Sequence, residues 1–136
     1  MDFAIHTNKI ISTAEYARLM ESVNWGSGYS EESVRRSLAS YPFIAHARAN
    51  SGALVGYVSA FSDGAFTTML GELVVHPESQ RKGVGRALLS AVERNYAGVP
   101  VYVKPLGLAS LFFTACGYRE PSVAMQVLFN RNGAEG

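Results

Sequence analysis

One stretch of the chain decides the fold: residues 73–89 read LVVHPESQRKGVGRALL. Its first three residues are apolar and β-branched or large, which is typical of a buried strand, and Pro77 ends that strand. From Gly83 onward the apolar residues recur at helical spacing. The stretch therefore predicts a strand, a short loop and then a helix whose start carries two glycines.

The start of this predicted helix is suited to bind an anion. Backbone amides at a helix N-terminus have no partner within the helix, and the helix dipole favours negative charge there. Gly83 and Gly85 carry no Cβ, so a ligand can approach the backbone closely. Arg81, Lys82 and Arg86 add positive charge beside those amides. The pattern favours a bound pyrophosphate.

Two common phosphate-binding motifs do not explain this stretch. The chain lacks the Gly-x-x-x-x-Gly-Lys-Ser/Thr pattern of a P-loop. A dinucleotide-binding fold needs a third small residue, but Leu88 stands at that position, seven residues separate Val75 from Gly83, and Lys104 follows the next strand where an acidic residue is required. Both interpretations fail.

The rest of the chain predicts strands and helices around this centre. The predicted strands are Phe3–Thr7, Phe43–Arg48, Ala53–Phe61, about Phe66–Val75, Val99–Val103 and Val123–Phe129, and the predicted helices follow Ser12 and Ser30 or cover Gly83–Tyr96 and Leu106–Cys116. The single helix between Val75 and Val99 makes those two strands parallel. The order predicts an α/β or α+β fold with helices on both faces of the sheet.

Composition limits the other interpretations. A chain of 136 residues with 48% hydrophobic residues suits one domain, expected over residues 1–129, with 130–136 as a disordered tail. A net charge of +1 argues against a nucleic-acid partner bound through overall basicity. The single cysteine, Cys116, forms no internal disulfide, and neither a secretory leader nor a membrane-spanning run is apparent. We therefore expect a cytoplasmic protein with no membrane partner.

Two blocks of sequence resemble one family. Gln80–Gly85 resembles the Gln/Arg-x-x-Gly-x-Gly/Ala signature of the GNAT superfamily of N-acetyltransferases, and the preceding Leu-Val-Val-His-Pro is similar to that family's approach strand. Ala109–Tyr118 resembles the family's Ala-x-x-Leu-Tyr-x-x-x-Gly-Phe block. The similarity covers about Glu72 to Tyr118. It implies a GNAT fold, with a mixed central sheet of about six to seven strands.

The resemblance implies acetyl-CoA as co-substrate, no metal, and transfer of the acetyl group to a primary amine of a small molecule. The amine would attack directly in a ternary complex, with the thioester near Val74 and Val75. The residues implied to bind the coenzyme are Leu73, Val74, Val75, Gln80, Arg81, Lys82, Gly83, Val84, Gly85, Arg86, Phe112 and Phe113.

The catalytic residues are less clear from the sequence. Glu72 is a candidate base acting through water, and its alternative interpretation is a solvated charge at a strand edge. Phe113 stands where the family often has a tyrosine that protonates the leaving thiolate, so Tyr118, Tyr102 or a water could supply that proton. The loss of this tyrosine also leaves open a degenerate acyl-CoA-binding sensor. Acetylation of protein N-termini or lysines is a further alternative.

The pocket that binds the acceptor amine is predicted to lie at the loop between the first two helices. In the family this loop usually lines the acceptor pocket, and here it contains Trp25 and Tyr29. Their rings would suit an aromatic amine, although Trp25 could instead pack the loop against the core. The partners expected are acetyl-CoA and an amine acceptor, with the protein a monomer or homodimer.

Overall fold

The computed structural model describes residues 2–26 and 28–132. Its elements in chain order are β1 (Phe3–His6), α1 (Thr13–Ser22), α2 (Glu31–Ser40), β2 (Phe43–Ala49), β3 (Leu54–Ser62), β4 (Thr68–Val75), a 3-10 turn (Pro77–Ser79), α3 (Val84–Asn95), β5 (Val101–Tyr102) and α4 (Ala109–Ala115). Contacts group the chain into two compact units, one ending at Val103 and the other beginning at Lys104. The first unit contains the sheet and the first three helices, and the second contains α4.

The sheet has five strands in the order β1-β2-β3-β4-β5. The first four strands pair antiparallel. Short turns join β2 to β3 and β3 to β4, as the turn signals predict, whereas α1 and α2 lie between β1 and β2. Strands β4 and β5 are parallel, which confirms the predicted crossover. Their ladder is short: Thr68 pairs with Val101 and Met69 with Tyr102. Beyond Met69, this edge of β4 has no strand partner among the described residues.

Helices cover both faces of this sheet, as predicted. Helices α1 and α2 pack on the face that presents Ile44, Tyr57 and Val74, where they form a buried apolar cluster. Helix α3 packs on the opposite face, against Gly56. A Cβ built on Gly56 would lie only 2.9 Å from Val84 Cγ1 and 2.9 Å from Leu88 Cδ1. The missing side chain therefore lets the start of α3 approach β3 closely.

The predicted helix starts are confirmed. Ser12 Oγ accepts a hydrogen bond from the Glu15 amide at 3.1 Å, and Glu15 Oε2 accepts one from the Ser12 amide at 2.9 Å, which completes a capping box. Ser30 caps α2 in the same manner, accepting from the Ser33 amide at 3.3 Å. Glu15 also pairs with Arg48 of β2, which fixes the start of α1 to the sheet.

The sheet has fewer strands than the six to seven expected. The predicted strand Val123–Phe129 is wrong: these residues form no strand, and their large apolar side chains are 55–83% exposed. An apolar alternation favours a strand only if another strand pairs with it. Of the predicted tail, Asn130–Asn132 forms a turn and 133–136 lie outside the described residues. Within the described ranges, no helix has the length and apolarity required to span a bilayer.

Candidate active site

A β-bulge in β4 sets the position of Glu72. Ser59 of β3 stands opposite two residues of β4, Gly71 and Glu72, where the ladder register shifts by one. A Cβ on Gly71 would lie 2.4 Å from the Tyr41 hydroxyl oxygen and 2.5 Å from Ser59 Oγ. Only glycine fits there. The bulge therefore places the Glu72 side chain on the face covered by α1 and α2.

Two hydroxyl groups hold the Glu72 carboxylate. The Tyr16 hydroxyl donates to Glu72 Oε2 at 2.7 Å, and Ser59 Oγ donates to Glu72 Oε1 at 2.8 Å. The backbone amide of Glu72 donates to the same Ser59 oxygen at 3.0 Å. The side chain is half-buried and held in one orientation, so it is not the solvated edge charge of the alternative interpretation. Each carboxylate oxygen still has accepting capacity for a further donor.

Tyrosines surround this carboxylate. The Tyr16 ring meets the Tyr57 ring edge-on, with centroids 5.5 Å apart. Burial, the hydrogen bond to Glu72 and the charge of that residue raise the pKa of Tyr16, and burial together with the Glu72 charge raises the pKa of Tyr57. The Tyr57 hydroxyl is buried and has no hydrogen-bond partner among the described residues. The cluster thus offers neutral hydroxyls around one half-buried carboxylate.

Sequence reasoning missed Tyr16 and Ser59 as members of the site. Tyr16 lies on the apolar stripe of α1 and is buried, so helical periodicity alone assigns it to the core. Ser59 lies in a buried strand with apolar neighbours. A buried serine two residues after a tyrosine in an apolar strand is the one signal that could have indicated a polar contact there.

The two predicted acceptor residues lie between α1 and α2. The Tyr29 hydroxyl donates to the backbone carbonyl of Trp25, and the Tyr29 ring meets the Tyr16 ring edge-on at 6.0 Å. Through Tyr16, this loop reaches the surroundings of Glu72. Trp25 itself is 40% exposed, so its ring presents a substantial surface to solvent.

The start of α3 lacks a side-chain cap. Gly83 is the N-cap with φ of 86°, a left-handed conformation suited to glycine, and no side chain bonds to the first turn. Within the described residues, the backbone amides of Gly83, Val84 and Gly85 donate no hydrogen bond. Gln80 Nε2 donates to the Val75 carbonyl at 3.0 Å, which ties the preceding loop to the end of β4. The arrangement is a nest of unpaired donors that suits an anion.

Three cations lie beside these amides. Arg81, Lys82 and Arg86 are all exposed. Arg81 has φ of 64°, a conformation that costs a non-glycine residue about 1–2 kcal/mol. The left-handed backbone conformation of Arg81 turns the loop two residues before Gly83. The cations and the helix dipole act in the same direction on any negatively charged ligand.

The predicted coenzyme residues of β4 lie on its open edge. Val74 is buried in the apolar cluster, whereas Leu73 and Val75 are half-buried. Among the described residues β5 pairs only with Thr68 and Met69, so the main chain of Leu73 and Val74 has no strand partner on this edge, while the Val75 carbonyl accepts from Gln80. An extended chain with amide groups, such as pantetheine, fits an unpaired strand edge that can bond it as a sheet bonds a strand.

The predicted residues of the second block lie in the other unit. Phe113 is buried, and its ring contacts Phe112 at 5.2 Å and Tyr118 at 5.6 Å between centroids. Gly117, with φ of 93°, ends the helix as predicted, and the Tyr118 amide donates to the Phe113 carbonyl at 3.0 Å. The structure thus brings these three rings together, while Glu72 belongs to the unit that ends at Val103.

Comparison with known proteins identifies the family of the chain. The family model described as an acetyltransferase (GNAT) domain matches residues 40–120, more than half of the chain. The chain belongs to the GNAT acetyltransferase family. This confirms the resemblance seen in the sequence, and acetyl-CoA is the co-substrate that this family uses.

Individual GNAT relatives are similar over part of their length. The mycothiol acetyltransferase of Kineococcus radiotolerans is 40% identical over 75 residues, which is 53% of this chain and 25% of that protein. The chloroplastic GCN5-related N-acetyltransferase 3 of Arabidopsis thaliana is 32% identical over 76 residues, covering 51% of this chain and 30% of that protein. The chain spans between a quarter and about half the length of the curated relatives it matches.

A solved acetyltransferase structure has a similar fold. The crystal structure of a putative acetyltransferase from Deinococcus radiodurans superposes with a TM-score of 0.78 at 21% identity. The superposition covers 96% of this chain and 89% of that chain.

Proposed function

We propose that this protein transfers the acetyl group of acetyl-CoA to the primary amine of a small molecule, by direct attack in a ternary complex. The observation that carries the proposal is the Glu72 carboxylate. It is held by Tyr16 and Ser59 on the strand whose other edge is open to an extended ligand. A fixed, half-buried carboxylate beside an acyl donor is the arrangement that an amine acceptor requires, because the amine must lose a proton.

The start of α3 supports binding of the coenzyme. The unpaired amides of Gly83, Val84 and Gly85, with Arg81 and Lys82 beside them, supply the donors and charge that a pyrophosphate needs. When bound, acetyl-CoA supplies an activated acetyl thioester, which makes a metal unnecessary for the transfer. The main chain of Leu73–Val75 would hold the pantetheine arm and polarise the carbonyl.

Protons move in two directions in this reaction. Glu72 would accept the proton of the bound ammonium group through a water molecule, and Tyr16 and Ser59 keep its carboxylate in place for that step. The leaving thiolate needs a proton that Phe113 has no group to supply. We propose Tyr118, whose ring packs on Phe113, as the donor. The low cysteine content is consistent with a cytoplasmic setting for this chemistry.

Phe113 also favours a second candidate function. A GNAT domain without its usual acid could bind acyl-CoA and act as a sensor or regulator, without turnover. An acceptor that is a protein N-terminus or lysine would differ from both, because it needs an open groove for a peptide rather than a site lined by tyrosines.

A thiol-release assay separates these functions. Acetyl-CoA is incubated with a panel of small primary amines and with peptides, and coenzyme A thiol is measured. We expect turnover with small amines, and Glu72→Gln should reduce it by about 100-fold while acetyl-CoA still binds. Glu31→Gln makes the same chemical change in an exposed helical ion pair and serves as the control.

Each outcome assigns one function. Binding of acetyl-CoA without turnover on any amine or peptide would support the sensor. Turnover on peptides alone would support a protein acetyltransferase. Turnover on small amines that survives Glu72→Gln would remove Glu72 as the base.

A further inference from the structure

A groove lies next to the Glu72 site, on the face of the sheet covered by α2. Its volume is about 440 Å³. The rings of Tyr41 and Phe61 form one wall, with centroids 6.2 Å apart, and Pro42 and Ser37 extend it. Phe61 is 47% exposed, so an aromatic surface faces solvent inside the groove.

Two features connect this groove to Glu72. Tyr41 contributes to both, because its ring lines the groove while its hydroxyl lies over Gly71, the residue before Glu72. Strand β3 makes the second connection. Tyr57, Ser59 and Phe61 are alternate residues of one strand and so share a face. Ser59 bonds to the Glu72 carboxylate, and Phe61 lies two residues further along, about 7 Å away.

We infer that this groove binds the non-reacting part of the acceptor, and that the acceptor is a primary amine with a neutral aromatic or compact apolar group on a short spacer. The inference rests on the proposed function, and it names the class of its substrate. An amine bound at Glu72 would reach Phe61 through a spacer of about two or three carbons, given the 7 Å advance along β3.

The lining of the groove argues against an anionic substituent. Arg36 is the one charged residue that lines the groove among the described residues, and it pairs with Glu32 at 3.1 Å, so the local charge is balanced. The wall is formed by Tyr41, Pro42 and Phe61, which offer rings and apolar carbon. A neutral aryl group can stack on such a wall, whereas a carboxylate would gain little there.

The test is a spacer series. Rates of thiol release are measured with benzylamine, phenethylamine, 3-phenylpropylamine and 4-phenylbutylamine, and with ethylamine as a substrate too short to enter the groove. We expect kcat/KM to peak at the two- or three-carbon spacer. Phe61→Ala should lower kcat/KM for the preferred aryl amine by about 10-fold, mainly through KM, with ethylamine and acetyl-CoA unaffected.

Two further variants sharpen the result. Phe66→Ala removes an aromatic ring that is 78% exposed and does not line the groove, so it should leave the series unchanged. Ser37→Trp fills the groove from α2 and should abolish the aryl preference while ethylamine is still acetylated. A flat spacer series, or equal losses in Phe61→Ala and Phe66→Ala, would overturn the inference.

A binding measurement tests this inference separately from the proposed function. Calorimetry with phenethylamine, on protein saturated with coenzyme A, measures acceptor binding without turnover. Binding that weakens in Phe61→Ala, with no acetylation of any amine, would support the groove and contradict the proposed enzyme. Acetylation of amines with no aryl-amine binding in the groove would support the enzyme and contradict the groove.

Discussion

Gly56 is the point at which α3 rests on the sheet, and Gly56→Ala tests that packing. The new methyl carbon would lie 2.9 Å from both Val84 Cγ1 and Leu88 Cδ1, and 3.4 Å from the Ala47 Cβ. Overpacking of this kind costs about 1–3 kcal/mol, while replacing glycine restricts the unfolded chain and returns about 0.4–1 kcal/mol. We expect a net loss of about 1–2 kcal/mol, which lowers the melting temperature by roughly 3–8 °C.

Denaturant unfolding of Gly56→Ala, Val84→Ala and the double variant measures this packing. Val84 is buried, so its truncation also destabilises the fold. In the double variant, however, the added methyl occupies space that the valine vacated, and the coupling free energy should be at least about 0.5 kcal/mol in the stabilising direction. Simple additivity, or a Gly56→Ala protein as stable as the parent, would refute the reasoning.

The same displacement should affect the coenzyme site. Val84 follows Gly83, whose amide belongs to the proposed pyrophosphate nest, and Gly56 pairs with Val75 at the end of β4. Pushing α3 away from β3 therefore separates the nest from the open strand edge. We expect calorimetry to show weaker acetyl-CoA binding in Gly56→Ala, with partial recovery in the double variant.

Three further predictions follow from the site and its surroundings. Tyr16→Phe removes one of the two donors that hold Glu72, so kcat should fall about 10-fold at unchanged acetyl-CoA KM in the thiol-release assay; full activity would contradict the positioning role. Gly83→Asp should lower acetyl-CoA affinity more than 10-fold by calorimetry, through strain at positive φ and charge repulsion, whereas Gly64→Asp, also at positive φ with open space, should not. Burial, with Arg48 acting in the same direction, lowers the pKa of His46 to about 4. The stability that the neutral imidazole contributes is therefore complete above about pH 6.5 and is lost as the pH falls towards 4. We expect urea unfolding across this range to show a loss of about 3 kcal/mol in the free energy of unfolding. A free energy of unfolding that does not change between pH 6.5 and 4 would contradict the lowered pKa of His46.

Local signals in the sequence predicted most of the fold. The caps at Ser12 and Ser30 depend on residues within three positions, and both are confirmed. The parallel pairing of β4 and β5 follows from the single helix between them. The caps could be predicted because neighbouring residues decide them, and the parallel pairing because a helical crossover constrains the direction of the next strand. The Val123–Phe129 strand had the right alternation but needed a partner strand, which alternation does not supply.

The arrangement around Glu72 could be predicted only in part. Strict alternation along β4 would place Leu70 and Glu72 on one face. The bulge at Gly71 breaks this rule, since Leu70 pairs with Ala60 while Glu72 shares a face with Ser59. The bond from Tyr16 joins residues 56 positions apart, a contact that no local pattern encodes. Glu72 could be named as a candidate base from its residue type and its position before Leu73–Val75. The residues that hold its carboxylate, Tyr16 and Ser59, could not be predicted from the sequence.

The position of Trp25 has a practical consequence. It is the single tryptophan of the chain, and it lies between α1 and α2 with its carbonyl bonded by Tyr29, whose ring contacts Tyr16 beside Glu72. Indole emission responds to the polarity of its surroundings, and a 40% exposed ring has room to change. The protein therefore carries one intrinsic fluorophore near the Glu72 carboxylate, and its emission would follow amine binding in real time and without a label if the proposed acceptor site is correct.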